Sequence, residues 1–293
     1  MENEAFLVLG ATGKTGSRVA AGLRQRGKRV RARSRSTSPR FDWQDEATWA
    51  SAVDGVTGAY VVVPATLSLD ASESERGKPV GVAPEPLARF SQLAVRRGVR
   101  HLVLLSGRTA LSGSRYMMDL EQAVQDSGAD WTILRPGSFA QNFSTEPFRH
   151  AIIAGAHQEF DIGGRAQDFI DIADIADVAV EVLTAPGHEW SVYELSGPQA
   201  LTAKEAVDII ARTLGRTIEY SEFSPDDWAQ RVRAQGLSQE AIDFTLTAVR
   251  SMRDGYFEPH DGVQRVLGRK ARRFEDFVLE AAVSGAWGPV QPD

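Results

Sequence analysis

Gly10, Gly13 and Gly16 stand three residues apart in Gly-Ala-Thr-Gly-Lys-Thr-Gly, after the apolar run Ala5–Leu9 and before residues 17–26, which read as a helix. A strand that breaks into a glycine turn and then a helix makes a cradle for pyrophosphate. Gly10 permits the tight turn, Gly13 lets the backbone approach phosphate, and Gly16 lets the helix lie close to the sheet. Thr12, Lys14 and Thr15 share this turn. The helix start adds free N–H donors and partial positive charge for an anion. The spacing G-x-x-G-x-x-G differs from the G-x-G-x-x-G of standard dehydrogenases and belongs to another branch of the same fold. It does not match the G-x-x-x-x-G-K-[ST] of triphosphate chemistry.

The next strand, residues 28–34, suggests which dinucleotide. A site that prefers NADH tends to place an acidic side chain at the end of this strand for the ribose 2′-hydroxyl. Here the strand ends in Arg33, Ser34 and Arg35, and the first acidic residue afterwards is Asp42. A guanidinium pairs bidentately with a 2′-phosphate, and neighbouring hydroxyls donate to the same group. The expected cofactor is NADPH rather than NADH.

The acid–base residues are incomplete. A usual short-chain reductase carries Tyr-x-x-x-Lys, in which the lysine lowers the tyrosine pKa. Tyr116 lies in the right region, but Leu120 stands four residues later. Ser106 ends the strand 101–106 and either hydrogen-bonds a substrate oxygen or caps residues 108–114. Hydride transfer to a quinone or conjugated enone needs no protein acid, which points to an electron-poor, aromatic substrate. Tyr116 and Ser106 are the catalytic candidates. His101 and His150 lack metal-ligand spacing. Asp161, Asp168, Asp171, Asp174 and Asp177 resemble an acidic metal string, but the later ones fall at helical spacing opposite an apolar stripe, with Asp171 or Asp174 as a helix cap. No metal is expected. Phe139, Phe143, Phe148, Trp228 and Tyr256 read equally as pocket wall or core.

These residues need elements to position them. Short apolar strands at 58–64, 101–106 and 131–135 alternate with helical segments at 43–53, 87–97 and 116–127, and residues 68–86 read as a loop. The alternation predicts an α/β fold, a doubly wound parallel Rossmann sheet that binds ligand at the carboxyl ends of its strands. Thr202 to Glu205 is a capping box opening a helix that runs to Gly215. Ser224-Pro-Asp-Asp starts another, and residues 238–252 continue helically. The expected division is a nucleotide-binding domain over 1–195 and a smaller, mostly helical substrate lobe over 196–293. Net charge is −6, from 33 basic and 39 acidic residues, which argues against a nucleic-acid partner. The chain has no cysteine, so thiolate chemistry is excluded. With no leader and no apolar run long enough for a bilayer, a cytoplasmic protein with no membrane partner is expected.

Several pieces in order resemble the NmrA-like group of atypical short-chain dehydrogenases/reductases. They are the glycine turn, Leu104-Leu-Ser-Gly107, residues 127–136 with Phe139-Ala-Gln-Asn-Phe143, residues 169–178, and Tyr193-Glu-Leu-Ser-Gly-Pro198. The resemblance covers most of the chain. It implies quinone, dye or natural-product reduction with NADPH, or redox sensing without turnover. It also implies that Arg35 meets the 2′-phosphate, that Pro64 lines the adenosine side, and that Ser138, Phe139 and Asn142 lie near the nicotinamide. Many members carry histidine or lysine four residues before the glutamate matching Glu121, where this chain has Met117. The leading expectation is an NADPH-dependent reductase of a quinone, enone or polycyclic aromatic ketone. The alternatives are an NADP(H) sensor and a redox-neutral isomerase or epimerase.

Overall fold

The structure is a computed structural model that describes residues 4–63, 65–67, 79–81, 84–255 and 257–288. In chain order its strands are β1 (Ala5–Leu9), β2 (Arg29–Arg33), β3 (Gly58–Val62), β4 (Ala65–Leu67), β5 (Pro79–Gly81), β6 (His101–Leu105), β7 (Asp130–Pro136), β8 (Ala156–Phe160), β9 (Ser191–Leu195) and β10 (Glu219–Phe223). The helices are α1 (Gly16–Gln25), α2 (Trp49–Val53), α3 (Pro84–Arg96), α4 (Arg115–Gln125), α5 (Arg149–Ala154), α6 (Ile172–Thr184), α7 (Ala203–Leu214), α8 (Pro225–Ala234), α9 (Gln239–Arg253), α10 (Gly262–Leu267) and α11 (Phe274–Val283).

Six strands form one parallel sheet in the order β2-β1-β3-β6-β7-β9. Its inner strands β1, β3 and β6 are largely apolar on both sides because both faces are covered, whereas the edge strand β2 carries three arginines. Leu7, Leu9, Ala59, Val61, Leu102 and Leu104 pack with Trp49, Phe90, Leu120 and Val124 from α2, α3 and α4. Alternate residues, Phe6, Val8, Tyr60, Val103, Leu134 and Tyr193, pack on the other face with side chains of α1, α6 and α10. All strands point the same way, so the glycine turn, Ser106 and the segment after Pro136 meet at one edge.

The parallel Rossmann expectation therefore holds, and β9 extends it by a strand that the sequence reading leaves unassigned. The helix expected over 43–53 is shorter: a 3₁₀ turn at Glu46–Thr48 leads into α2, and Trp43 instead stacks edge-on against Phe41, Trp49 and Phe90. Helix α3 starts at Pro84, earlier than the sequence reading places it. Most of the loop expected at 68–86 lies outside the described residues.

Later elements begin where the capping residues predict. Thr202 and Glu205 form the capping box of α7, which ends at Gly215 in the left-handed region. Ser224 accepts from the N–H groups of Asp226 and Asp227, and Pro225 opens α8. These elements do not pack only on one another. β10 runs parallel to β8, and one core joins Phe143, Ile152 and Phe169 to Val207, Ile210, Phe274, Phe277 and Trp287. Helices α8 and α9 share a small core of Ala229, Val232, Leu237, Ala241 and Ile242.

Candidate active site

The glycine turn has the geometry its spacing implies. Gly10 adopts φ +65°, and its carbonyl accepts from the Gly13 N–H at 2.8 Å. A Cβ at Gly16 would stand 2.3 Å from the Gly10 oxygen and 2.7 Å from its carbonyl carbon, so only glycine lets α1 start this close to the turn. The first turn of α1 carries no acidic side chain and Thr15 is buried beside it. The Ser17 and Arg18 N–H groups donate to the Gly13 and Thr15 carbonyls, no side chain caps the helix, and the positive end of a ten-residue helix so placed makes a cradle that fits a dinucleotide pyrophosphate.

The end of β2 sits beside this turn. The Ala11 N–H donates to the Arg33 carbonyl at 3.1 Å. Ser36 Oγ lies 3.4 Å from Thr12 Oγ1 and 3.2 Å from Ser34 Oγ, so three hydroxyls run from the turn into the loop after β2. Arg33 is half-buried, and burial together with Arg31 weakens its hold on the proton. Arg35 is exposed on the same loop. Pro64 lies outside the described residues.

On the other side of the crevice, Lys14 reaches across. Its Nζ donates to Asn142 Oδ1 at 2.9 Å and to the Glu146 carbonyl at 2.6 Å. Burial lowers the Lys14 pKa, with Glu146 opposing. Ser138 Oγ donates to Gln167 Oε1 at 2.9 Å, and Phe139 pairs with Ile170. The structure thus brings Lys14 to the stretch containing Ser138, Phe139 and Asn142. Phe143 is fully buried core rather than pocket wall. Phe148 packs against Phe143, and Trp228 against Phe160. Tyr256 lies outside the described residues.

Ser106 does not cap residues 108–114. Its Oγ donates to Glu121 Oε1 at 2.6 Å. Glu121 is buried, and Arg135 clamps it with Nε on Oε1 at 2.9 Å and Nη2 on Oε2 at 2.6 Å. Sequence reasoning missed this pair, because residues 14 apart on α4 and β7 share no local pattern. Tyr116 packs edge-on against Phe244, ring centroids 6.0 Å apart, and burial pushes its hydroxyl up to about 12. Leu120, one turn on, is buried core, and Met117 lies against Gly107.

A second missed feature lies beside these. Arg108 Nη2 donates to Asp168 Oδ2 at 2.5 Å and to the Glu258 carbonyl at 2.9 Å, and both charged side chains are fully buried. Burial raises the Asp168 pKa against the pull of Arg108. The carboxylate rests on Gly137, where a Cβ would stand 2.2 Å from Oδ1. The remaining aspartates are structural: Asp171 caps α6 through the Ala173 N–H, and Asp174 pairs with Arg269 and Arg272. Among the described residues no group of three or more side chains is placed to hold a metal, and no helix is long and apolar enough to cross a membrane. His101 bonds Thr132 at 2.9 Å.

Comparison with known proteins agrees with this geometry. Residues 10–186 match the model of an NAD(P)H-binding family. The (4-alkanoyl-5-oxo-2,5-dihydrofuran-3-yl)methyl phosphate reductase of Streptomyces griseus is 32% identical, over 94% of this chain and 98% of its own. The NAD(P)H azoreductase of Xenophilus azovorans is 29% identical, over 96% and 99%. Among solved structures, the NADPH complex of the Escherichia coli quinone oxidoreductase QOR2 superposes with a TM-score of 0.74 at 20% identity, covering 94% of this chain and 99% of that one.

Proposed function

This chain belongs to the NAD(P)H-binding family, among the NmrA-like atypical short-chain dehydrogenases/reductases, and is an oxidoreductase; on that premise we propose that it reduces a quinone, enone or polycyclic aromatic ketone with NADPH. The observation that carries the reading is the closed glycine turn at Gly10 and Gly16, joined by Lys14 to the nicotinamide-side segment. When bound, the reduced nicotinamide supplies a hydride.

The rest is the work of this chain's own backbone and side chains. The α1 N-terminus holds pyrophosphate. Thr12, Ser34, Arg33 and Arg35 surround the 2′-phosphate, while Ser138, Phe139 and Asn142 border the ring. Ser106 and Tyr116 stand on the substrate side. Tyr116 is a weak proton donor, which suits acceptors whose product anion takes its proton from water.

Two outcomes follow for single residues. Arg35→Ala should weaken NADPH binding by about tenfold and NADH by less than about twofold, since a charge-assisted phosphate contact contributes about 1.5–3 kcal/mol. Equal losses in fluorescence titrations with both nucleotides would remove Arg35 from the site. Tyr116→Phe should keep at least roughly a third of kcat, and kcat/KM of the parent protein should show no ionisation assignable to Tyr116 between about pH 7 and 10. A hydroxyl pushed up to about 12 stays protonated throughout that window. A basic limb that disappears in the phenylalanine variant would make Tyr116 the proton donor after all.

The reading itself is tested by NADPH oxidation with purified protein across quinones, enones and aromatic ketones. Turnover that depends on protein and prefers NADPH supports it. Tight binding without oxidation of any acceptor replaces it with nucleotide sensing.

A further inference from the structure

The loop that follows β2 is held shut by one hydroxyl. Thr37 Oγ1 accepts from the Ser34 N–H at 2.9 Å and donates to the carbonyls of Ser34 and Pro39, each at 3.0 Å. The Ser34 carbonyl also accepts from the Phe41 N–H at 2.9 Å, which closes residues 34–41 on themselves. Phe41 is buried edge-on against Trp43 and Phe90, with ring centroids 5.0 and 5.4 Å away. The end of the loop is therefore fixed to the core, and Thr37 fixes its middle to its start. Threonine suits the task, because its short side chain reaches backbone groups a few residues away.

Closing Ser34 onto Thr37 leaves only Arg35 and Ser36 between them, and both are exposed. Their places are nonetheless set. Ser36 donates its N–H to Ser34 Oγ at 3.3 Å, and its hydroxyl lies 3.2 Å from that oxygen and 3.4 Å from Thr12 Oγ1 on the glycine turn. Arg40, on the same loop, is committed to Asp45 at 2.7 Å. Arg35 has no hydrogen-bond or ion-pair partner among the described residues, so its guanidinium is available beside the hydroxyls of Thr12, Ser34 and Ser36. The Thr37 hydroxyl, by contrast, is fully used within the loop.

On the footing of the NADPH reading, we propose that Thr37 is a positioning residue for cofactor choice. It acts through Arg35 and Ser36, holding them with Thr12 ready for the 2′-phosphate that distinguishes NADPH from NADH. Without its hydroxyl, the bonds to the Ser34 N–H and carbonyl pass to water, and residues 35 and 36 gain the freedom of an ordinary surface loop. Ordering them again would oppose binding of the phosphate, whereas a loop closed on folding meets it already shaped.

Calorimetric titration with NADP⁺ and NAD⁺, which differ only in the 2′-phosphate, tests this without turnover. Thr37→Val keeps the shape of the side chain and removes the hydroxyl. It should weaken NADP⁺ about fivefold and NAD⁺ by less than about twofold, and retained NAD⁺ binding reports that the variant is folded. Thr37→Ser keeps the hydroxyl and should recover most of the loss. In an Arg35→Ala background, Thr37→Val should cost less than about twofold for either nucleotide, because the charge it positions is already gone. A purely structural role would weaken both nucleotides together and persist in that background. Either result overturns the proposal, as does a Thr37→Ser variant no better than Thr37→Val. Hydrogen exchange of the cofactor-free parent needs no variant: the Ser34 and Phe41 amides should be protected, and exchange as fast as in an unstructured chain overturns the preformed loop. A parent that binds NAD⁺ as tightly as NADP⁺ overturns the NADPH reading and the proposal with it. A parent that prefers NADP⁺, with the same preference kept in Thr37→Val, overturns the proposal alone.

Discussion

Asp168→Ala is expected to destabilise the protein by about 3–5 kcal/mol, because it takes the counter-charge from an Arg108 guanidinium that is fully buried. The pair itself contributes little net stability. Both groups lost their hydration on folding, and burial raises the Asp168 pKa while lowering that of Arg108. Removing one partner is therefore worse than never having had either. Chemical denaturation should record the loss, with a melting temperature lower by on the order of 10 °C. Arg108→Met combined with Asp168→Leu should recover a large part of it, since a buried ion pair replaced by apolar groups of similar volume is often neutral. The same double variant should not recover substrate turnover, because the Glu258 carbonyl loses its donor and Gly137 its carboxylate neighbour. A loss below about 1 kcal/mol in Asp168→Ala would mean that water or another group relieves the guanidinium.

Gly16→Ala should weaken NADPH binding by about a hundredfold or more. The added Cβ would meet two backbone atoms of Gly10 at 2.3 and 2.7 Å, and neither can rotate away as a side chain would. Helix α1 must then shift off the turn, and its N–H donors move out of line with the pyrophosphate. Each hydrogen bond to a charged group contributes about 1.5–3 kcal/mol, so losing two is enough for the effect. Gly13→Ala is the comparison for the turn itself: its Cβ would stand 3.2 Å from the Gly10 oxygen, a contact that a small adjustment relieves, although the same Cβ would narrow the approach to phosphate. Thermal unfolding of the nucleotide-free variants should therefore show Gly16→Ala well below Gly13→Ala. Equal melting temperatures for the two would show that α1 does not depend on its close approach to Gly10.

What could be foreseen in this chain was what is local. The glycine turn, the helix caps at Thr202 and Ser224, and the apolar strands each occupy a short stretch whose chemistry is complete within it, while the choice between Asp171 and Asp174 as the α6 cap fell to Asp171 only in the structure. The family resemblance added the expectation that residues 138–143 lie near the nicotinamide. Much of the site is not local. Ser106, Glu121 and Arg135 come from β6, α4 and β7, and Arg108 meets Asp168 across 60 residues. No periodicity links such partners, and a lone arginine after a strand looks like any solvated one. β8 and β10 escaped notice for a related reason. They are as long as β1, β3 and β6, but both carry glutamate and exposed positions rather than a continuous apolar run.

The parallel pairing of β8 with β10 bears on how such a protein could be diversified. A recombination crossover near residue 195 would transfer α7, β10 and α11 into a new background while leaving behind β8, Phe143 and Trp287's acceptor, the Phe143 carbonyl. The recipient would inherit half a ladder and an uncovered aromatic face. An exchange of specificity between two such chains therefore has to carry two separate stretches together, roughly the span from Phe139 to Ile170 and everything after β9. Substitution by single mutations in place is the easier route for this architecture, and block shuffling the harder one.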